Sequence, residues 1–366
     1  WAWFITAILA LLGFAVLLAA GILLLLDRHA STSFFIPGGL LVSDRIIDHK
    51  GGSPLLWQHL FWFLGHPEVY ILMLPALGFT SDILTTFCRK PIFGYKSMVS
   101  ALLAISALSF VVWGHHMFVS GMSPYLAMAF AVFTMLVAVP SAVKVFNWLA
   151  TLWRSRIQYK TPMFWALGVV SLFISGGLSG IFLGQSAVDI PLHDTYFVVA
   201  HFHLIMAGAA LFGVFGATAY WFPKMFGRMM NERLGQIHFW LTFIGVYAVF
   251  IPFHLLGIAG HPRRYADSLW FDFLRPLDVL HVAATCAALV TAAVQLLFLF
   301  NLGWSIFRGA RATRNPWEAT TLEWATATPI PANNFGDALP VVHRDPYDYA
   351  VAGAKRDFLM QTEEDC

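Results

Sequence analysis

The chain has 366 residues, of which 58% are hydrophobic, 16% aromatic and 11% charged, and its mean hydropathy is +0.69. Soluble domains carry about 25% charged residues, so this composition excludes an ordinary soluble protein and fits a chain built for lipid. The net charge of +2 points to no nucleic-acid partner, and Cys88, Cys286 and Cys366 lack the spacing of a disulfide framework or a zinc site.

A helix needs about 20 mostly apolar residues to span the hydrocarbon core. In chain order that rule predicts about eight spans, near residues 2–26, 57–86, 93–120, 125–152, 162–185, 195–223, 237–259 and 277–304. The fold class is all-α, a polytopic membrane helical bundle. The chain opens at Trp1 inside an apolar run, with no initiator methionine and no signal-peptide pattern, which predicts a piece of a longer polypeptide. Pro67, Pro75 and Pro140 fall within spans, where neighbouring helices satisfy the freed carbonyls. The expected organisation is a membrane core over residues 1–304 and a polar tail over residues 305–366.

Alternate loops are basic. One carries Arg89, Lys90 and Lys96, the next Arg154, Arg156 and Lys160, and another Lys224, Arg228 and Arg233, which places that side inward. Arg263 and Arg264 in "GHPRRYAD" break the rule on the outer side and suggest a bound anion.

With directions assigned, His66, His115, His116, His201 and His203 all fall in the outer part of the membrane, on three spans. A single imidazole there serves equally as a hydrogen-bonded packing residue, but five at one depth point to metal or haem ligands. His66, His115 and His116 offer three nitrogens with an open position. His201 and His203, two residues apart in "HDTYFVVAHFH", face nearly opposite sides of a helix, which suits two cofactors flanking it.

Tyr70 lies four residues after His66, on the same face and within side-chain reach. Glu68 is an ionisable group inside a span, the usual mark of a proton or ion route. Lys144 lies roughly 28 Å along its inward-running span, with Ser141 a turn before it. It reads as a proton relay or as a lysine snorkelling to the inner interface. His193 and Asp194 lie just outside the same level, placed either to hold a hard cation or propionate or to cap a helix.

The strings "QHLFWFLGHPEVYIL", "KPIFGY", "VVWGHHMF", "VPSAVKVFNWLATLW", "LHDTYFVVAHFH", "HFWLTFIGVYAVFIPFHLLGIAGHPRRY" and "NPWEATTLEW" follow one another along the chain. Together they closely resemble subunit I of the haem–copper oxidases, in the cytochrome c oxidase branch. The family's subunit has twelve spans, and this chain resembles the last eight. The resemblance implies a terminal respiratory oxidase that reduces O₂ to water, coupled to proton translocation. Its implied cofactors are a low-spin and a high-spin haem (haem a type), copper and magnesium.

Residue by residue, the resemblance implies copper on His66, His115 and His116, with Tyr70 crosslinked to His66. It implies the high-spin haem on His201 and the low-spin haem on His203. Glu68 ends one proton route, while Lys144, Ser141 and Ser81 line a second. His193 and Asp194 match the magnesium site, and Arg263 and Arg264 the propionate partners. The implied partners are the N-terminal part of subunit I, subunits II and III, cytochrome c as donor, and the lipid of a bacterial plasma membrane.

Departures from the family pattern remove no ligand. Ser141 stands where many relatives have threonine, "GMSPYLAMAF" lacks acidic residues, His261 replaces a common methionine, and "LVSDRIIDHKGG" enlarges an outer loop. A quinol oxidase with the same core and a nitric oxide reductase remain alternatives; Tyr70 and Lys144 argue against the latter. A metal-free proton channel or structural subunit would leave the opposed histidines and the outer arginine pair without a role.

Overall fold

The computed structural model describes residues 1–39, 41–46, 51–267, 270–336 and 338–364. Among these, seven helices are long and apolar enough to cross a membrane, the hallmark of an integral membrane protein. In chain order the α-helices are α1 (Ala2–His29), α2 (Pro54–Cys88), α3 (Tyr95–Ser109), α4 (Pro124–Leu152), α5 (Thr161–Leu183), α6 (Ser186–Leu192), α7 (Tyr196–Phe202), α8 (Ala209–Phe226), α9 (Glu232–Ile258) and α10 (Asp278–Arg308). A π-helical turn, His203–Gly208, joins α7 to α8, so the two form one continuous apolar span, Tyr196–Phe226.

One expected span differs. The apolar run over 93–120 forms the 15-residue helix α3, too short to count among the seven. The helix stops at Ser109, turns through Val111, whose N–H reaches Leu108 O at 2.9 Å, and resumes as a 3₁₀ turn, Trp113–Met117. Gly114 lies so close to the Phe130 ring that a Cβ there would sit 2.3 Å from it. That approach fixes where the tight turn sets down the next two residues, His115 and His116.

The chain divides into two compact units. One comprises Trp1–Pro75, Val99–Ala142 and Ser179–His193. In it α1 buries Ile5, Leu9 and Ala20 along one stripe. Near its end the Asp27 carboxylate accepts from Thr32 Oγ1 (2.6 Å) and from the amides of Phe34 (2.8 Å) and Phe35 (2.9 Å), capping the following loop. In the enlarged loop, β1 (Leu41–Val42) and β2 (Arg45–Ile46) form a short antiparallel hairpin. Ser43 and Asp44 turn it at φ 50° and 60°, as a two-residue hairpin requires. Residues 47–50 of that loop lie outside the described residues.

The other unit comprises Ala76–Met98, Val143–Leu178 and Asp194–Cys366. Here α9 packs along α10 and against α7, and the buried rings of Trp165, Phe212 and Phe239 cluster among α5, α8 and α9. The segment after α10 folds back within this unit. Arg89, 3% exposed, receives it: Nε and Nη2 donate to the two Asp357 carboxylate oxygens at 3.0 and 2.7 Å. Its Nη1 donates to the carbonyls of Trp317 (3.2 Å) and Glu318 (3.0 Å). Lys224 Nζ donates to Thr326 O at 2.9 Å. Polar as it is, this segment has buried anchors, among them Trp324 and Tyr349.

Candidate metal and haem-ligand sites

His66, from α2, and His115 and His116, from the 3₁₀ turn, bring one ring nitrogen each to within 4.8 Å of the others. Among the described residues this is the one such group of three or more histidine, cysteine or carboxylate ligands. His66 Nδ1 and His116 Nε2 are 3.3 Å apart. Two nitrogens each about 2.0 Å from a common ion in a tetrahedral or trigonal set stand about that far apart. The donor set therefore fits a borderline metal such as copper.

The surroundings hold these rings. Trp62, one turn before His66, stacks on His116 with centroids 4.0 Å apart and planes at 11°. His115 Nδ1 pairs with Thr134 Oγ1 at 3.0 Å, which anchors that edge of the ring. The Tyr70 ring lies 4.9 Å from that of His66, so the two expected neighbours do meet. Glu68, between them in sequence, points to the exposed side of α2.

In the other unit, His201 Nδ1 lies 2.9 Å from Gly176 O and His203 Nδ1 2.8 Å from Val199 O. A carbonyl accepts only from a protonated nitrogen, so both rings keep their lone pair on Nε2, the form that ligates haem iron. Gly176 permits this because it has no side chain: a Cβ would sit 2.5 Å from Ile205 N. His203 opens the π-turn, and Phe250 stacks on it at 4.6 Å and 15°. Single π-turns inside helices recur at functional sites. The two imidazoles thus have different environments on one short stretch, as their spacing implied.

Lys144 is 1% exposed, with Nζ 5.0 Å from the centroid of the Trp148 ring and no ion pair among the described residues. It does not snorkel. Trp148 Nε1 donates to Ser81 Oγ at 3.0 Å, while Ser141 donates to Val137 O at 2.9 Å along its own helix.

At the outer loops the residues are already partnered. Arg263 Nε and Nη2 both reach Asp194 Oδ1 at 2.6 Å, and its amide donates to Asp194 O at 2.8 Å. His193 Nδ1 meets Asp189 Oδ2 at 3.0 Å. Arg264 is exposed. A magnesium ion takes about six, mainly oxygen, ligands, so His193 and Asp194 alone do not make its site.

Sequence reasoning did not find Trp62, Thr134, Asp189 or the Gly176 carbonyl as supports. Trp62 carries a signal, its spacing of four from His66, and so does Asp189, four residues before His193. His261, the departure from the family's methionine, is 1% exposed; its ring lies 4.6 Å from that of His281, and burial pushes its pKa down.

The family profile described as Cytochrome C and Quinol oxidase polypeptide I matches residues 1–326. The chain is 51% identical over 365 residues to the "alternative cytochrome c oxidase subunit 1" of Bradyrhizobium diazoefficiens, covering 99% of this chain and 62% of that protein. It is 46% identical over 351 residues to the cytochrome c oxidase subunit 1 of Synechocystis, covering 96% and 61%. It therefore spans about three fifths of these relatives' length. In structure it resembles a chain of a heme-copper terminal oxidase dimer determined by cryo-EM, with TM-score 0.69 and 19% identity, over 85% of this chain and 57% of that one; that likeness speaks for the fold alone.

Proposed function

Because the chain belongs to the cytochrome c and quinol oxidase polypeptide I family, we propose that it forms most of the catalytic subunit of a bacterial terminal oxidase reducing O₂ to water. The observation that carries this reading is the histidine trio, whose nitrogens stand at metal-ligand separation.

In this reading His66, His115 and His116 hold copper, His201 the oxygen-binding haem and His203 the low-spin haem, with haem a as the type. Bound there, haem and copper supply the electrons that split O₂ without releasing partly reduced oxygen. The chain's own residues position and protonate. Trp62 and Thr134 fix the imidazoles, and Tyr70, beside His66, delivers a proton from its hydroxyl. Lys144, Ser141 and Ser81 carry protons from the inner side, and Glu68 serves a separate route whose other members lie outside this chain. Arg263 and Arg264 face haem propionates. His193 and Asp194 contribute to a magnesium site completed by subunit II. The remaining partners are the N-terminal part of subunit I, subunit III and cytochrome c, all in the plasma membrane.

Oxygen uptake by the assembled complex with reduced cytochrome c tests the reading. Four electrons consumed per O₂ support it. A complex that oxidises only quinol corrects the donor, and one that turns nitric oxide into nitrous oxide without reducing O₂ overturns it.

A further inference from the structure

We propose that His261 and His281 form a second metal site, separate from the histidine trio, for a borderline divalent cation of the zinc class. Both belong to the unit that holds α9 and α10, and neither has a role in the function proposed above.

The fold leaves His261 little freedom. α9 ends in a Schellman turn: the Gly260 amide donates to Gly257 O and the His261 amide to Leu256 O, both at 3.0 Å. Gly260 takes φ 86°, the left-handed conformation that such a turn asks of its glycine. The His261 carbonyl then accepts from the Tyr196 amide at 2.9 Å, which ties the turn to the start of α7. Its Nδ1 lies 2.8 Å from Pro262 O. A carbonyl accepts only from a protonated nitrogen, so the lone pair of this buried ring is on Nε2.

His281, in the first turn of α10, brings its ring to 4.6 Å from that of His261, with planes at 57°. Ring separations within the histidine trio run from 4.2 to 5.5 Å, so this pair stands at the spacing of the proposed copper ligands. The Tyr196 ring closes one side, 4.4 Å from His261 and 5.7 Å from His281. Nε2 of each histidine is buried and has no hydrogen-bond partner among the described residues. Buried polar atoms are almost always partnered, so two orphaned nitrogens on touching rings mark a place that takes a ligand. Imidazole suits zinc and copper. Two imidazoles fill half of a tetrahedral zinc shell, and Asp278, one turn before His281, offers a carboxylate on the same helix face. Bound there, the ion fastens the start of α10 to the corner between α9 and α7.

The test uses the assembled complex, stripped of loosely held metal with a chelator and then titrated with zinc ions. Wild type is compared with H261M and H281Q by metal analysis, alongside haem and copper content. H261M installs the residue common in the family, so its assembly is expected. Wild type is expected to retain one more zinc per complex than either variant, at unchanged haem and copper. Zinc held equally by wild type and either variant overturns the inference. Should neither variant assemble, zinc-edge X-ray absorption of the wild type decides. Two imidazole nitrogens about 2.0 Å from the bound ion support the site, and oxygen ligands alone overturn it.

Discussion

His66 and His116 place ring nitrogens 3.3 Å apart although 50 residues of chain separate them. The contact exists because α3 stops at Ser109 and the chain re-enters as a 3₁₀ turn. From that turn both rings approach His66, with centroids 4.7 and 5.5 Å away.

Trp62 is the brace of that arrangement, stacked at 4.0 Å on His116. Trp62→Ala is expected to weaken copper binding about 10–100-fold, the usual cost of losing a group that orients a ligand. Chelator titration of the purified complex, followed by copper analysis, checks this. Copper retained at wild-type chelator concentrations would show that the stack is ordinary packing.

Gly176 supports His201 in two ways, through its carbonyl at 2.9 Å and through the absence of a side chain against Ile205. Gly176→Ala inserts a methyl where backbone stands 2.5 Å away, an overpacking cost of about 1–3 kcal/mol. The expected result is loss of carbon monoxide binding at the high-spin haem, with the low-spin haem's spectrum retained. A normal carbon monoxide difference spectrum would contradict the placement of His201.

Lys144 is enclosed, with no ion pair among the described residues, so Lys144→Met removes the proposed proton carrier while conserving volume. Stability is expected to hold or rise, while turnover falls about 10²-fold or more. Thermal unfolding of the complex and oxygen uptake measure the two. A fall in stability with turnover intact would mark the lysine as structural.

The Arg89 guanidinium beside Asp357 holds that carboxyl below its usual range. Its folded pKa lies under the unfolded value of about 3.9, so the stabilisation is full above that value and lost as pH falls through the folded one. The C-terminal segment is therefore expected to become protease-sensitive below about pH 4, and Asp357→Asn to make it sensitive at neutral pH. Asp357 is 44% exposed, so the effect is modest and local. Cleavage independent of both pH and the substitution would remove the pair from the account.

Much of this was legible in the sequence because membranes impose a coarse code. The apolar runs gave seven of the eight expected spans. Depth grouped His66, His115 and His116, whose ring nitrogens meet in one unit, and a spacing of four placed Tyr70 beside His66. The break after Ser109 was not legible, since "FVVW" is an apolar run without proline and the close approach of Gly114 to Phe130 is a tertiary contact. Nor were the Gly176 carbonyl or the Tyr347–Asp82 hydrogen bond. The Gly176 carbonyl is a backbone atom of a kind every residue shares and the Tyr347–Asp82 bond joins distant positions, whereas the Asp189–His193 pair, at a spacing of four, carried a signal that was not read.

The most direct test counts copper and iron against haem in the assembled complex, wild type beside His116→Ala. The account predicts that all iron is haem iron and that the substitution removes one copper per complex. Non-haem iron in the wild type, or copper unchanged by the substitution, would contradict it.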